Sequence, residues 1–143
     1  MRELIYNQRR IPKDQWRYGL RSSAATGCGW IATYNALRLM GYYAEPEKLI
    51  RFYERQLPLI HGNFGTGLLA PALYFERCGF PVTIVSDREK FDETAEKSDA
   101  SVLFYFWRRK CRIGAHLVAL HHTESGFVGY NTYSNSHGPD SVW

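Results

Sequence analysis

Three residues in this chain have the types and local settings that thiol chemistry requires: Cys28, His116 and Asn131. Cys28 lies between Gly27 and Gly29, where a loop of small residues gives way to apolar positions at helical spacing. A helix N-terminus presents unpaired N–H groups and the positive end of the dipole, which favours thiolate over thiol. The flanking glycines let a substrate backbone approach the sulfur closely. His116 follows Gly114 and Ala115 near the start of an apolar strand, where a sheet can hold the ring rigidly toward a cleft. A neutral imidazole within hydrogen-bond reach of a thiol takes its proton, and the resulting ion pair is the activated nucleophile. Asn131, in Gly129-Tyr130-Asn131-Thr132, falls on the next expected strand. Adjacent antiparallel strands bring it beside His116, with its amide oxygen placed to accept the imidazole N–H and fix the tautomer. Asparagine inside a β-rich run is unusual, and a turn or bulge is the other reason for one to stand there. Each residue alone has an ordinary structural explanation; the three together point to chemistry.

The elements that must carry them can be read from periodicity. Trp30, Ile31, Tyr34, Leu37 and Met40 fall at helical spacing, so a helix is expected over 28–40, stopped by Gly41 at C′. A second helix begins at Pro46, a first-turn proline, and carries Leu49, Ile50, Tyr53 and Leu57 on one face. Residues 60–67, with Gly62, Gly65 and Gly67, form a loop, and a third helix runs over about 68–77 and ends before Gly79. Then the period changes. A short strand is expected at 82–85, an exposed polar helix at 88–97 and strands at 101–107, 115–122 and 127–133, with a turn or hairpin over 108–114. The first twenty residues read as an irregular arm, and 134–143 as turn-rich. Helices followed by strands argue an α+β fold with an antiparallel sheet, and 143 residues fit one domain spanning 1–143.

Bulk properties exclude several classes. The three cysteines, at 28, 78 and 111, are odd in number, widely spaced and without a CxxC pair, which argues against a disulfide framework or a four-thiolate zinc site. Cys78 and Cys111 are read as small buried hydrophobes. The net charge of +4 is partly concentrated in Arg9-Arg10 and Arg108-Arg109-Lys110, without a nucleic-acid-binding signature around either cluster. His61, His116, His121, His122 and His137 fit no common zinc spacing, and the glycines at 62, 65 and 67 match no phosphate-binding fingerprint. Asp87 and Asp92 are read as surface or capping residues, and Phe104, Tyr105, Phe106 and Trp107 as core and sheet packing. The charged N-terminus lacks the apolar stretch of a signal peptide, and no apolar run reaches the ~20 residues of a membrane span. A reducing cytoplasm is the expected setting, although an exported parent stripped of its leader would look the same. No cofactor, nucleic acid or membrane insertion is expected, and the oligomeric state is not legible.

The segment from Thr26 to Leu37, Thr-Gly-Cys-Gly-Trp-Ile-Ala-Thr-Tyr-Asn-Ala-Leu, resembles the nucleophile helix of papain-like cysteine peptidases. It is most similar to the bacterial group that processes double-glycine leader peptides, as in bacteriocin maturation. Gly114 to Leu120 resembles that family's histidine strand, and Gly126 to Tyr133 the strand that brings Asn or Asp behind it. The resemblance covers about residues 20–133. It implies a papain-like fold and a cysteine peptidase-like thiol hydrolase that cleaves a peptide or amide bond through an acyl-enzyme on Cys28. His116 would be the base, Asn131 the orienting residue and the Cys28 N–H an oxyanion donor, with a peptide or protein as substrate and no cofactor. The alternatives are a catalytically degenerate papain-like peptide-binding module, or an acyltransferase, deamidase or transglutaminase-like enzyme on the same Cys-His-Asn logic. Papain-like enzymes usually carry a glutamine several residues before the cysteine as a second oxyanion donor. Residues 21–26 contain none; Gln8 and Gln15 lie further back, where an insertion relative to the family would be needed to bring either into place, and Ser22, Ser23 or Asn35 are candidate substitutes.

Overall fold

The computed structural model describes residues 3–17, 27–55, 69–133 and 135–142. Among the described residues, four α-helices precede a four-stranded antiparallel sheet: α1 (Cys28–Leu39), α2 (Pro46–Arg55), α3 (Ala70–Arg77) and α4 (Phe91–Glu96), then β1 (Ser101–Arg109), β2 (Arg112–Thr123), β3 (Gly126–Tyr130) and β4 (Asp140–Ser141). The sheet is a meander in the order β1-β2-β3-β4. The chain is therefore α+β, with the helices first, as the alternation of periods predicts.

Helix α1 is the centre of the molecule. Every residue from Gly29 to Leu37 is buried, the signature of a helix covered on all sides rather than one lying on a surface. Trp30, Ile31, Tyr34 and Leu37 pack with Leu49, Ile50 and Tyr53 of α2 and with Ile5 and Ile11 of the N-terminal arm. The Thr33 hydroxyl is hydrogen-bonded to that of Tyr53, so both buried polar groups are satisfied. Cys28, Gly29, Ala32 and Ala36 share the remaining arc, and their small size lets α1 lie close to β2, its principal partner in the sheet. Leu117, Val118, Ala119 and Leu120 are consequently buried on both faces of β2, whereas an antiparallel strand commonly has one face in water.

The helix ends obey local rules. Gly41 at φ +86° closes α1 in a Schellman turn, with Tyr42 N–H donating to the Leu37 carbonyl at 2.9 Å and Gly41 N–H to Arg38 at 3.1 Å. Gly79, also at φ +86°, closes α3 in the same way. Asp87 caps the 3₁₀ turn at Arg88–Lys90 by accepting from the Glu89 N–H at 3.1 Å. Much of the high aromatic content is used in edge-to-face pairs running from Tyr53 through Phe52, Tyr74 and Phe75 to Phe80 and Tyr42.

Several sequence expectations need correction. Residues 82–85 form no strand; Thr83 and Ile84 are exposed and the segment has no ladder partner among the described residues, because β propensity alone does not make a strand without a neighbour to pair with. The exposed helix at 88–97 is a 3₁₀ turn followed by the short α4. The turn expected over 108–114 narrows to Lys110 and Cys111, with the β1–β2 ladder continuing to Arg109 opposite Arg112. Cys78 and Cys111 are exposed rather than buried, since one caps the C-terminus of α3 and the other sits at a hairpin tip. Phe104 is also exposed, on the edge strand β1. The expected loop at 60–67, with His61 and its glycines, lies outside the described residues.

The described part of the N-terminal arm, residues 3–17, is irregular apart from a 3₁₀ turn at Gln8–Arg10, yet it is firmly attached. Asn35, fully buried in α1, accepts from the Ile5 N–H and donates to the Ile5 carbonyl, both at 2.8 Å. One amide side chain thus completes the hydrogen bonding of an arm residue as a neighbouring strand would. Tyr34 Oη donates to the Glu3 carbonyl at 2.7 Å, and Trp16 Nε1 to Glu47 at 3.1 Å.

Candidate active site

Cys28 is the first residue of α1, preceded by Gly27 as N-cap. Gly27 has no side chain with which to cap the helix, so the N–H groups of the first turn are left for other acceptors. Those of Cys28 and Gly29 point toward the Cys28 sulfur, together with the backbone N–H of Leu117 on β2. The last contact is the important one. It places the thiol against the residue that follows His116, so the helix start and the histidine strand meet at this point.

His116 lies in the middle of β2, directly across from Tyr105 on β1. The Tyr105 ring stands edge-on to the imidazole, centroids 5.8 Å apart, and its hydroxyl donates to the Thr132 carbonyl at 3.2 Å. Burial and the electrostatic influence of Tyr133 and Cys28 raise the Tyr105 pKa, so its hydroxyl stays protonated and a donor at neutral pH. His116 itself bonds through Nε2 to the backbone carbonyl of Asn131 at 2.6 Å. A carbonyl only accepts, so Nε2 carries the proton and Nδ1 is the basic nitrogen of the neutral ring.

Asn131 thus meets His116, but not by the expected group. It lies one residue beyond the end of β3, with φ +63°, a left-handed conformation that asparagine tolerates better than most residues. That turn aims its carbonyl at the imidazole. Its side chain faces the other way, toward the arm: Oδ1 accepts from the Gln8 N–H at 2.7 Å, and Nδ2 donates to Gln8 Oε1 at 2.9 Å. Gly129 supports the turn, since a Cβ there would lie 2.7 Å from Thr132 Oγ1. The expectation that the Asn131 amide oxygen orients His116 is therefore corrected to the Asn131 main-chain carbonyl.

Burial works against the expected ion pair at rest. Protein crowds the sulfur, and burial raises the Cys28 pKa above its ordinary 9.0 despite the three backbone N–H groups that pull it down. Burial likewise lowers His116 below its ordinary 6.5, opposed only in part by the Asn131 carbonyl. Desolvation therefore outweighs the helix terminus here, and the resting pair at neutral pH is thiol and neutral imidazole.

Both shifts predict a stability window. Below pH 6.5 the unfolded chain takes up a proton that folded His116 refuses, so stability falls as pH drops through 6.5 until the lower folded value is passed. Above pH 9.0 the unfolded thiol ionises before the buried one, and stability falls again as pH rises. Urea midpoints should be highest between these limits, and His116→Gln should flatten the acid limb.

The other sequence candidates separate from the site. Asn35 is fully buried, with its amide bonded through both Oδ1 and Nδ2 to Ile5 of the arm; Gln15 is exposed on the arm; Ser22 and Ser23 lie outside the described residues. His121 stacks on Tyr130 with centroids 5.7 Å apart, His122 packs against Phe127, and the His137 ring is hydrogen-bonded to Arg10. Gln8, weighed from the sequence only as a distant oxyanion glutamine, is instead bonded to Asn131, and Tyr105, read as core and sheet packing, is the site residue that sequence reasoning missed. For Tyr105 the signal was its pairing opposite His116 once the hairpin register is set. No protein-family model, curated protein or solved structure matches the chain.

Proposed function

We propose that the protein is a thiol hydrolase of the cysteine peptidase type, papain-like in architecture, that cleaves a peptide or amide bond through an acyl-enzyme on Cys28. The observation that carries this reading is the placement of the Cys28 sulfur against Leu117 while the adjacent His116 is held by Nε2 in the tautomer that leaves Nδ1 basic. In the reaction the thiol proton passes to His116 Nδ1 as the sulfur attacks the substrate carbonyl. The oxyanion is received by first-turn N–H groups of α1, those of Cys28 and Gly29. His116 then protonates the leaving amine, and water, deprotonated by the same ring, hydrolyses the thioester. No cofactor enters. Two exposed free thiols, Cys78 and Cys111, suit a reducing cytoplasm, and no described helix is long and apolar enough to cross a membrane.

A second reading, a cleft that binds peptides without cleaving them, is favoured by the burial that keeps the Cys28 thiol protonated. Acylation separates the two. Incubated with the p-nitrophenyl ester of an N-blocked dipeptide, the protein should gain one acyl group, mapped to Cys28 and lost in Cys28→Ala. Added amine then distinguishes a hydrolase, which releases the acid regardless, from an acyltransferase, which needs the acceptor. Binding of the peptide with no acyl adduct would leave only the non-catalytic module.

A further inference from the structure

We propose that Gln8 is a positioning residue for His116, acting through Asn131; this rests on the thiol reading above. Gln8 and Asn131 are 123 positions apart and are joined by two hydrogen bonds that use both halves of the Asn131 amide, one to the Gln8 main chain and one to its side chain. Asn131 is only 3% exposed, so water cannot readily replace either partner. The direction of the Asn131 carbonyl depends on the left-handed turn at this residue, and its own side chain, held at both ends by Gln8, clamps that turn. The clamp in turn sets the imidazole, because the carbonyl is the acceptor for His116 Nε2.

The arm is suited to this task because Gln8 does not hang free. It opens a 3₁₀ turn capped by Asn7, whose Oδ1 accepts from the Arg9 N–H at 3.0 Å and whose Nδ2 donates to the Ser136 carbonyl at 3.1 Å. Ser136 in turn accepts from the Tyr133 N–H at 2.9 Å and donates to Asp140 at 2.5 Å. The arm thus grips the segment behind His116 at two points, 131 and 136. The same segment presents two consecutive carbonyls to side chains of adjacent strands, Asn131 to His116 and Thr132 to Tyr105. Loss of the Gln8 acceptor strands Asn131 Nδ2 in a buried place and frees the turn to rotate, which withdraws the acceptor that selects the Nε2–H tautomer.

The test uses ¹⁵N-histidine-labelled full-length protein, in which ring nitrogen shifts report the tautomer independently of activity. Wild-type His116 is expected as a single neutral Nε2–H tautomer. Gln8→Met keeps the bulk and removes the acceptor; it should give averaged ring nitrogen shifts and slow Cys28 alkylation by about three- to tenfold, the worth of one hydrogen bond. Gln8→Glu, whose carboxylate still accepts from Asn131 Nδ2, should restore the single tautomer and bring alkylation back to within about twofold. An Nδ1–H tautomer in the wild type, or an unchanged tautomer in Gln8→Met, would overturn the role of Gln8. Should Gln8→Met not fold, the wild-type tautomer decides. The thiol reading fails separately, if His116→Ala leaves Cys28 alkylation unaltered.

Discussion

Replacement of His116 by alanine should slow iodoacetamide alkylation of Cys28 at pH 7 by about a hundredfold or more, the range of general-base assistance. The size of the effect follows from the burial of the sulfur. With its pKa raised above 9.0, no more than about 1% of the thiol is ionised at pH 7 without help. In the wild type His116 is neutral at that pH, because burial has lowered its own pKa, and it can take the thiol proton whenever sulfur and ring align. The alanine variant lacks that route and relies on the scarce free thiolate. Peptide mapping is needed to follow Cys28 separately, since Cys78 and Cys111 are exposed and should react equally in both proteins. Those two thiols serve as internal controls.

Asn131→Ala should destabilise the protein by about 3 kcal/mol, and Asn131→Gly by roughly half as much. Alanine must hold a left-handed φ of +63°, at a cost of about 1–2 kcal/mol, and it removes both bonds to Gln8, leaving part-buried donors and acceptors unsatisfied for a further 1–3 kcal/mol or so. Glycine removes the same two bonds without the backbone strain. The pair of variants also discriminates between two ways of holding His116. Because the main-chain carbonyl is the acceptor, glycine keeps it in the left-handed turn without strain but loses the Gln8 clamp, and should slow Cys28 alkylation by about tenfold, less than alanine does. If the side-chain amide were the orienting group, glycine and alanine would lose reactivity equally. Denaturant midpoints and alkylation rates measured on both variants provide the check.

The contrast between Cys28 and Asn131 shows where sequence reasoning holds. The boundaries of α1 were legible because they are local: Gly27 before Cys28 and a Gly41 that adopts φ +86° to close a Schellman turn. The histidine strand was legible for the same reason, as an apolar run long enough to be buried on both faces. The role of Asn131 was half legible. Its presence in a β-rich run signalled a special position, but only the fold shows that the strand has ended and the carbonyl, not the amide, faces the ring. The bond from Gln8 to Asn131 was illegible, since nothing near position 8 announces a partner at 131, and the arm has no period to read. The helix-terminus argument for a thiolate failed for a different physical reason. It weighed the dipole and the N–H groups, whereas desolvation by the packed sheet is larger. Residues 82–85 show the reverse error, a β-branched run without a neighbouring strand.

The most direct measurement is the pH dependence of Cys28 alkylation from pH 5 to 10, followed by mass spectrometry in wild type and His116→Ala. The wild-type rate should rise through a midpoint below 6.5 as His116 loses its proton, remain level across neutral pH, and rise again only above 9.0. The variant should show no neutral plateau, gaining about tenfold per pH unit from pH 5 up to its raised thiol pKa. A wild-type profile with the same unbroken slope as the variant would mean that His116 does not assist the sulfur, and the catalytic account of this site would be wrong.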